Sequence, residues 1–153
     1  MRRWSWYILA ALLGAGVTTP AAAINFCTIS TVGVNFGNYN VFSAGALAAN
    51  GTVTYQCLGV AGESITIDLS QGSAPSFIPR TLLRSGEALN YNLYLDAAAT
   101  QIWGNGTGGS QRYGPIVPQN NRATNVTIFG RIPAGQDVTV GSYTDTIIAT
   151  INF

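Results

Sequence analysis

Apolar and polar residues alternate with a period of two along most of this chain, the pattern of strands with one buried face and one wet face. Toward the C-terminus Tyr143, Asp145, Ile147, Ala149, Ile151 and Phe153 alternate with Thr144, Thr146, Ile148, Thr150 and Asn152. This predicts one strand running to the last residue. Ile65, Ile67 and Leu69 alternate with Thr66, Asp68 and Ser70 in a second, and Tyr91, Leu93 and Leu95 alternate with Asn90, Asn92 and Asp96 in a third. Val53, Tyr55 and Cys57 share a face, as do Val126, Ile128, Gly130 and Ile132. A first strand is expected over Thr28 to Phe36, with a bulge or bend at Gly33. Ala49-Asn50-Gly51, Ser85-Gly86-Glu87, Gly104-Asn105-Gly106 and Pro133-Ala134-Gly135 supply turn chemistry between these runs. Short strands punctuated in this way argue for a β-sandwich.

The N-terminus has a different character. Arg2 and Arg3 precede an uncharged, mostly apolar run from Trp6 to Val17, followed by Ala21-Ala22-Ala23. That order matches an export signal, and the run is short for a membrane span. Cleavage after Ala23 is expected, leaving a mature chain from Ile24 to Phe153 that does not insert in a membrane.

The mature chain has five arginines, six carboxylates and no lysine, a net charge of −1, and only 8% of the whole chain is charged against ~25% in average proteins. There is no basic patch to neutralise phosphates, so nucleic acid is not expected as a partner. A surface this poor in charge opposes association only weakly. Cys27 and Cys57 remain after export, where an oxidising compartment pairs such cysteines. Closing that ~30-residue loop is worth roughly 3–4 kcal/mol on the chain-entropy model. A metal site lacks ligands, because the sequence has no histidine and no third cysteine.

The missing residue types also bound the chemistry. Without histidine no Ser-His-Asp or Cys-His arrangement exists, and without lysine no Schiff base. A carboxylate pair for glycoside hydrolysis is the remaining enzymatic option, and the spacing of Glu63, Asp68, Glu87 and Asp96 singles out no pair. The chain is therefore read as a non-enzyme without a cofactor. Asn50, Asn105 and Asn125 begin glycosylation-like triplets but read as turn or strand residues. The stretch from Gly104 to Gly114 reads as a long mobile loop. Ala74 to Pro79 and Tyr113 to Pro118 read as apolar surface loops.

Six segments in order then resemble the spore coat protein U domain family. They are Phe36-Gly37-Asn38-Tyr39; Gly51-Thr52-Val53 leading to Cys57; Leu89-Asn90-Tyr91-Asn92-Leu93-Tyr94; Ile102-Trp103-Gly104-Asn105-Gly106-Thr107; Gly130-Arg131-Ile132-Pro133-Ala134-Gly135-Gln136; and Gly141-Ser142-Tyr143-Thr144-Asp145-Thr146. The family includes subunits of archaic, Csu-type chaperone–usher pili. With the signal peptide expected over 1–23, the resemblance makes 24–153 one domain, an immunoglobulin-like β-sandwich lacking its final strand. It implies a periplasmic chaperone, an outer-membrane usher and other pilus subunits as partners, and a place at the cell surface in adhesion and biofilm assembly. By the same analogy the gap lies between the first and final strands and is lined by Val34, Phe36, Ile147, Ala149, Ile151 and Phe153. Only Ile24, Asn25 and Phe26 precede Cys27 in the expected mature chain, so it is expected to accept a strand rather than donate one. A self-contained secreted coat protein is the competing expectation. An Arg131–Asp145 ion pair is expected from the co-occurrence of the last two segments.

Overall fold

A computed structural model describes residues 26–59 and 62–153. The expected export signal and its cleavage site lie outside them. The described residues form eight strands and no helix. The strands are β1 (Phe26–Val32), β2 (Leu47–Leu58), β3 (Ile65–Leu69), β4 (Arg80–Arg84), β5 (Glu87–Tyr94), β6 (Tyr113–Ile116), β7 (Thr124–Ile132) and β8 (Ala149–Asn152). One sheet has the order β1-β2-β7-β5-β4 and the other β6-β3-β8. Every strand pairing is antiparallel. The result is an all-β, immunoglobulin-like sandwich.

The alternation places the core. Val53, Tyr55 and Cys57 of β2, Leu89, Tyr91 and Leu93 of β5, and Val126, Ile128 and Ile132 of β7 point inward from the large sheet. Ile65, Ile67 and Leu69 of β3 meet them from the small one, with Trp103 buried between. Each such side chain contributes about 1.5–3 kcal/mol on leaving water. Cys27 and Cys57 sit directly opposite each other in the β1–β2 register and form a disulfide with a Cα–Cα distance of 4.1 Å. It fastens the outermost strand of the large sheet to its neighbour.

Several expectations are corrected. The first strand ends at Val32, not Phe36. Beyond it the chain turns onto the inner face of the large sheet, where Gly51 and Gly130 leave room for it. A Cβ on Gly51 would stand 2.7 Å from the Val32 carbonyl oxygen and 2.9 Å from Val34, and one on Gly130 would stand 2.6 Å from Val34 and 2.8 Å from Phe36. The final alternating run is likewise not one strand. Thr144 exchanges two backbone hydrogen bonds with Leu83 of β4 (2.8 and 3.1 Å), whereas Ala149 to Asn152 pair with β3. The run crosses from one sheet to the other while keeping its inside–outside alternation, and alternation reports the face, not the partner strand.

Two strands, β4 and β6, fall where none was expected. Arg80 opens β4 as a fully buried residue. Its guanidinium donates to the Ser70 carbonyl (2.9 and 3.0 Å), the Trp103 carbonyl (2.6 Å) and Asn92 Oδ1 (2.8 Å), and it lies 5.1 Å from the centre of the Phe77 ring. Asn92, expected on a wet face, is buried to receive it. Burial lowers the Arg80 pKa to about 10, which leaves it charged at neutral pH. The expected mobile loop is tied down as well. Trp103 Nε1 donates to the Ile67 carbonyl (2.9 Å), the N–H of Gly104 to the Gln111 carbonyl (2.7 Å), the N–H of Gln111 to the Ile102 carbonyl (2.7 Å) and Ser110 Oγ to the Thr107 carbonyl (2.7 Å). Of the two expected surface loops, the first folds inward at Ala74 and Phe77, and part of the second is β6.

Candidate functional site

Cavities lie along one seam of the sandwich. Its walls are residues 31–41, following β1, and residues 138–149, leading into β8. Between them run two cavities, of about 1030 Å³ and about 320 Å³, which share Val34, Phe36, Leu82 and Asp145. Their floor is the core itself: Leu69, Tyr91, Leu93 and Ile128 line the smaller cavity, Leu89 and Ile132 the larger. The first wall continues from β1, last in one strand order, and the second leads into β8, last in the other, after bridging to β4 through Thr144 and Leu83. Terminal strands carry backbone N–H and C=O groups on one side with no strand beside them.

Of the six residues named from the sequence, four are brought together around one cavity. Val34, Phe36, Ile147 and Ala149 line the smaller cavity, and the Phe36 ring meets the Tyr91 ring edge-on at a centroid separation of 5.9 Å. Ile151 and Phe153 lie farther along β8, outside both cavities. Ile151 is half-buried opposite Ile67, and Phe153 is exposed.

The walls are held by polar contacts that the alternation did not reveal. The Tyr39 hydroxyl donates to the Pro133 carbonyl (3.0 Å) and accepts the Gln136 N–H (2.9 Å). The Gln136 side chain accepts the Asn90 N–H (2.7 Å) and donates to the Asn90 carbonyl (2.9 Å). A side-chain amide thus continues the ladder of β5 where β7 has ended. On the opposite wall the Thr139 and Tyr143 hydroxyls both donate to Glu87 Oε2, and Arg84 Nη1 donates to Thr139 Oγ1 (2.8 Å). These two hydroxyls, Thr139 first, hold the Glu87 carboxyl below its usual range. Farther along, Tyr91 donates to Asp145 Oδ2 (2.6 Å), and the Ser73 and Thr146 N–H groups donate to Asp145 Oδ1 (both 2.8 Å). Burial, with the Asp145 hydrogen bond, pushes the Tyr91 phenol well above its usual range. The expected Arg131–Asp145 pair is not formed. Asp145 is committed to Tyr91 and Ser73, and Arg131 Nη2 donates to the Ala97 carbonyl at 3.4 Å. At the mouth of the larger cavity Val140 is 94% exposed, and Phe42, next to the cavity-lining Val41, is 92% exposed.

The arrangement suits backbone pairing and side-chain insertion. Asp96 closes its own turn by accepting from the N–H groups of Thr100 and Gln101. Asp68 lies 3.2 Å from Arg112 Nε. Among the described residues no group of three or more histidine, cysteine, aspartate or glutamate side chains is placed to hold a metal ion.

Sheet order and disulfide define a two-sheet, immunoglobulin-like domain with two cavities between residues 31–41 and 138–149. The model of the Spore Coat Protein U domain matches residues 14–150, and the chain belongs to that family. It is 32% identical over 136 residues to Protein U of Myxococcus xanthus, a match covering 78% of this chain and 71% of that protein. Among solved structures it is similar to a chain in the crystal structure of a chaperone–tip adhesion subunit pre-assembly complex from the archaic chaperone–usher Csu pili of Acinetobacter baumannii. That match has a TM-score of 0.60 at 19% identity and covers 85% of this chain. The present chain spans 40% of the length of that solved chain, and the likeness is one of fold.

Proposed function

We propose that this chain is a structural subunit of an archaic chaperone–usher assembly. On this reading it is exported through the periplasm and accepts a strand in the groove between residues 31–41 and 138–149. A periplasmic chaperone lends the strand first, and another subunit replaces it at the outer-membrane usher. The assembled fibre serves adhesion and biofilm formation, and the role is mechanical rather than catalytic. The observation that carries this reading is that core side chains of both sheets, Leu69 from one and Leu93 and Ile128 from the other, line a cavity together with Val34, Phe36, Ile147 and Ala149, which lie in or beside the terminal strands β1 and β8. An inserted strand supplies backbone hydrogen bonds along its length, and its alternate side chains fill the groove. Four or five large apolar side chains so buried are worth on the order of 6–15 kcal/mol before ordering costs.

The test is expression of the exported chain with and without a chaperone of this class. The expected result is a one-to-one complex that melts well above the isolated chain, and Val34→Arg or Ile147→Arg abolishes it. An isolated chain that melts at the same temperature with and without the chaperone, and forms no complex, refutes the proposal. That outcome is the prediction of a second reading, a self-contained secreted coat protein. The observation in its favour is that the wall formed by residues 138–148 is itself tied to the body of the sandwich, at Glu87, Leu83 and Tyr91.

A further inference from the structure

Asp145 is the one residue lining the two cavities that carries a formal charge. It belongs to both linings and therefore stands where they meet, between the largely apolar smaller cavity, with Val34, Phe36, Leu82 and Ile147, and a larger one of mixed lining that includes Leu82, Leu89, Ile132 and Val138. Its carboxylate accepts from the Tyr91 hydroxyl, the Ser73 N–H and the Thr146 N–H. A carboxylate has about four acceptor sites, so three donors leave Oδ2 able to take another. No arginine among the described residues lies within ion-pairing distance of it. Arg80 feels its field from below the floor, but every N–H that Arg80 donates goes to Ser70, Trp103 or Asn92. Gly72 gives the carboxylate its place, because a Cβ there would stand 2.1 Å from Asp145 Oδ2.

With the groove open, water solvates this charge. A strand with only apolar side chains laid across it removes that water and returns at most a neutral backbone N–H, and an acidic side chain adds repulsion. A cation on the incoming strand restores the balance. Resting on the acceptor reading above, we infer that the strand fitting this groove is an extended segment of another polypeptide with a basic side chain set opposite Asp145, between large apolar side chains. Only every second residue of a strand faces the groove, so the pattern is apolar–x–basic–x–apolar. Asp145 then sets which strands are accepted and in which register, while the apolar positions set how tightly they are held.

The experiment uses the disulfide-intact chain and three fluorescent peptides of alternating valine and threonine. They differ only in the central groove-facing residue, which is lysine, leucine or glutamate. Anisotropy titrations at low salt are expected to show the lysine peptide binding at least about tenfold tighter than the glutamate peptide, with the leucine peptide between, and the gap narrowing as salt rises. Asp145→Asn keeps an acceptor for the Ser73 N–H and is expected to erase the difference between the charged peptides. The salt series on the unaltered chain decides the matter even where that variant fails to fold. Equal binding of all three peptides overturns the inference and leaves the acceptor reading standing; binding of none overturns both.

Discussion

The hydroxyl of Tyr39 accepts the backbone N–H of Gln136 at 2.9 Å, across 97 residues of sequence. The same oxygen donates to Pro133, and the Gln136 side chain in turn completes the pairing of Asn90. One phenol thereby ties the wall that follows β1 to the joint between β5 and β7. Tyr39→Phe keeps the ring and removes both hydrogen bonds. The expected loss is about 1–2 kcal/mol, read as a lower urea midpoint with an unchanged slope.

Arg80→Lys isolates what a planar guanidinium does in this core. Lysine keeps the charge but cannot reach the carbonyls of Ser70 and Trp103 and the Asn92 amide together from one rigid fork. A charge left buried with acceptors unfilled is costly. The substitution is expected to destabilise by about 2–4 kcal/mol in equilibrium denaturation, with the Trp103 fluorescence altered in the folded state.

These two residues also mark where the sequence stops being informative. The faces of β2, β3 and β7 were legible because each strand buries one face in the core, and period two is the direct consequence. Val34, Phe36, Ile147 and Ala149 come to the groove from the family resemblance rather than from parity, which gives only their inward face. Parity could not find β4, whose first inward residue is an arginine, nor β6, which is four residues long and contains Gly114 and Pro115. It joined Tyr143 to Phe153 into one strand because a chain that changes sheets without changing face keeps its alternation. Tyr39, Leu82 and Val138 come from segments without periodicity, and they meet at the groove only through contacts between distant parts of the chain. Asp145 was legible as an inward position of the final run, but not as the charge at the meeting of two cavities.

The pH dependence of stability is expected to have two limbs. Glu87 is held below its usual range by the Thr139 and Tyr143 hydroxyls. For Asp96 desolvation acts upward, but the N–H groups of Gln101 and Thr100 outweigh it and the net shift is downward. Groups depressed in the folded state contribute fully above their unfolded pKa, near 4, and lose that contribution as pH falls through the folded value. Stability should therefore hold from neutrality to about pH 5 and decline below about pH 4, and Glu87→Gln should flatten the decline. Tyr91 is shifted the other way, by burial first and the Asp145 hydrogen bond second. Its contribution is complete below about pH 10 and lost above it, a limb that Tyr91→Phe should lack. Urea midpoints collected across pH for the unaltered chain and both variants measure each limb separately.

Gly130→Ala separates the groove from the rest of the fold. The new methyl would stand 2.6 Å from Val34 and 2.8 Å from Phe36, both of which line the two cavities, while the backbone of β7 keeps its pairing with Ala49 and Leu93. Relieving that overlap displaces the first wall from the inner face of the large sheet. Overpacking of this kind costs about 1–3 kcal/mol. If the groove is where a strand enters, the variant should lose chaperone or peptide binding by more than its fall in stability explains, with the Cys27–Cys57 disulfide still formed. A variant that binds as tightly as the unaltered chain despite a lowered denaturation midpoint would place the entry site elsewhere, because Val34 and Phe36 cannot yield to the methyl and keep the same groove.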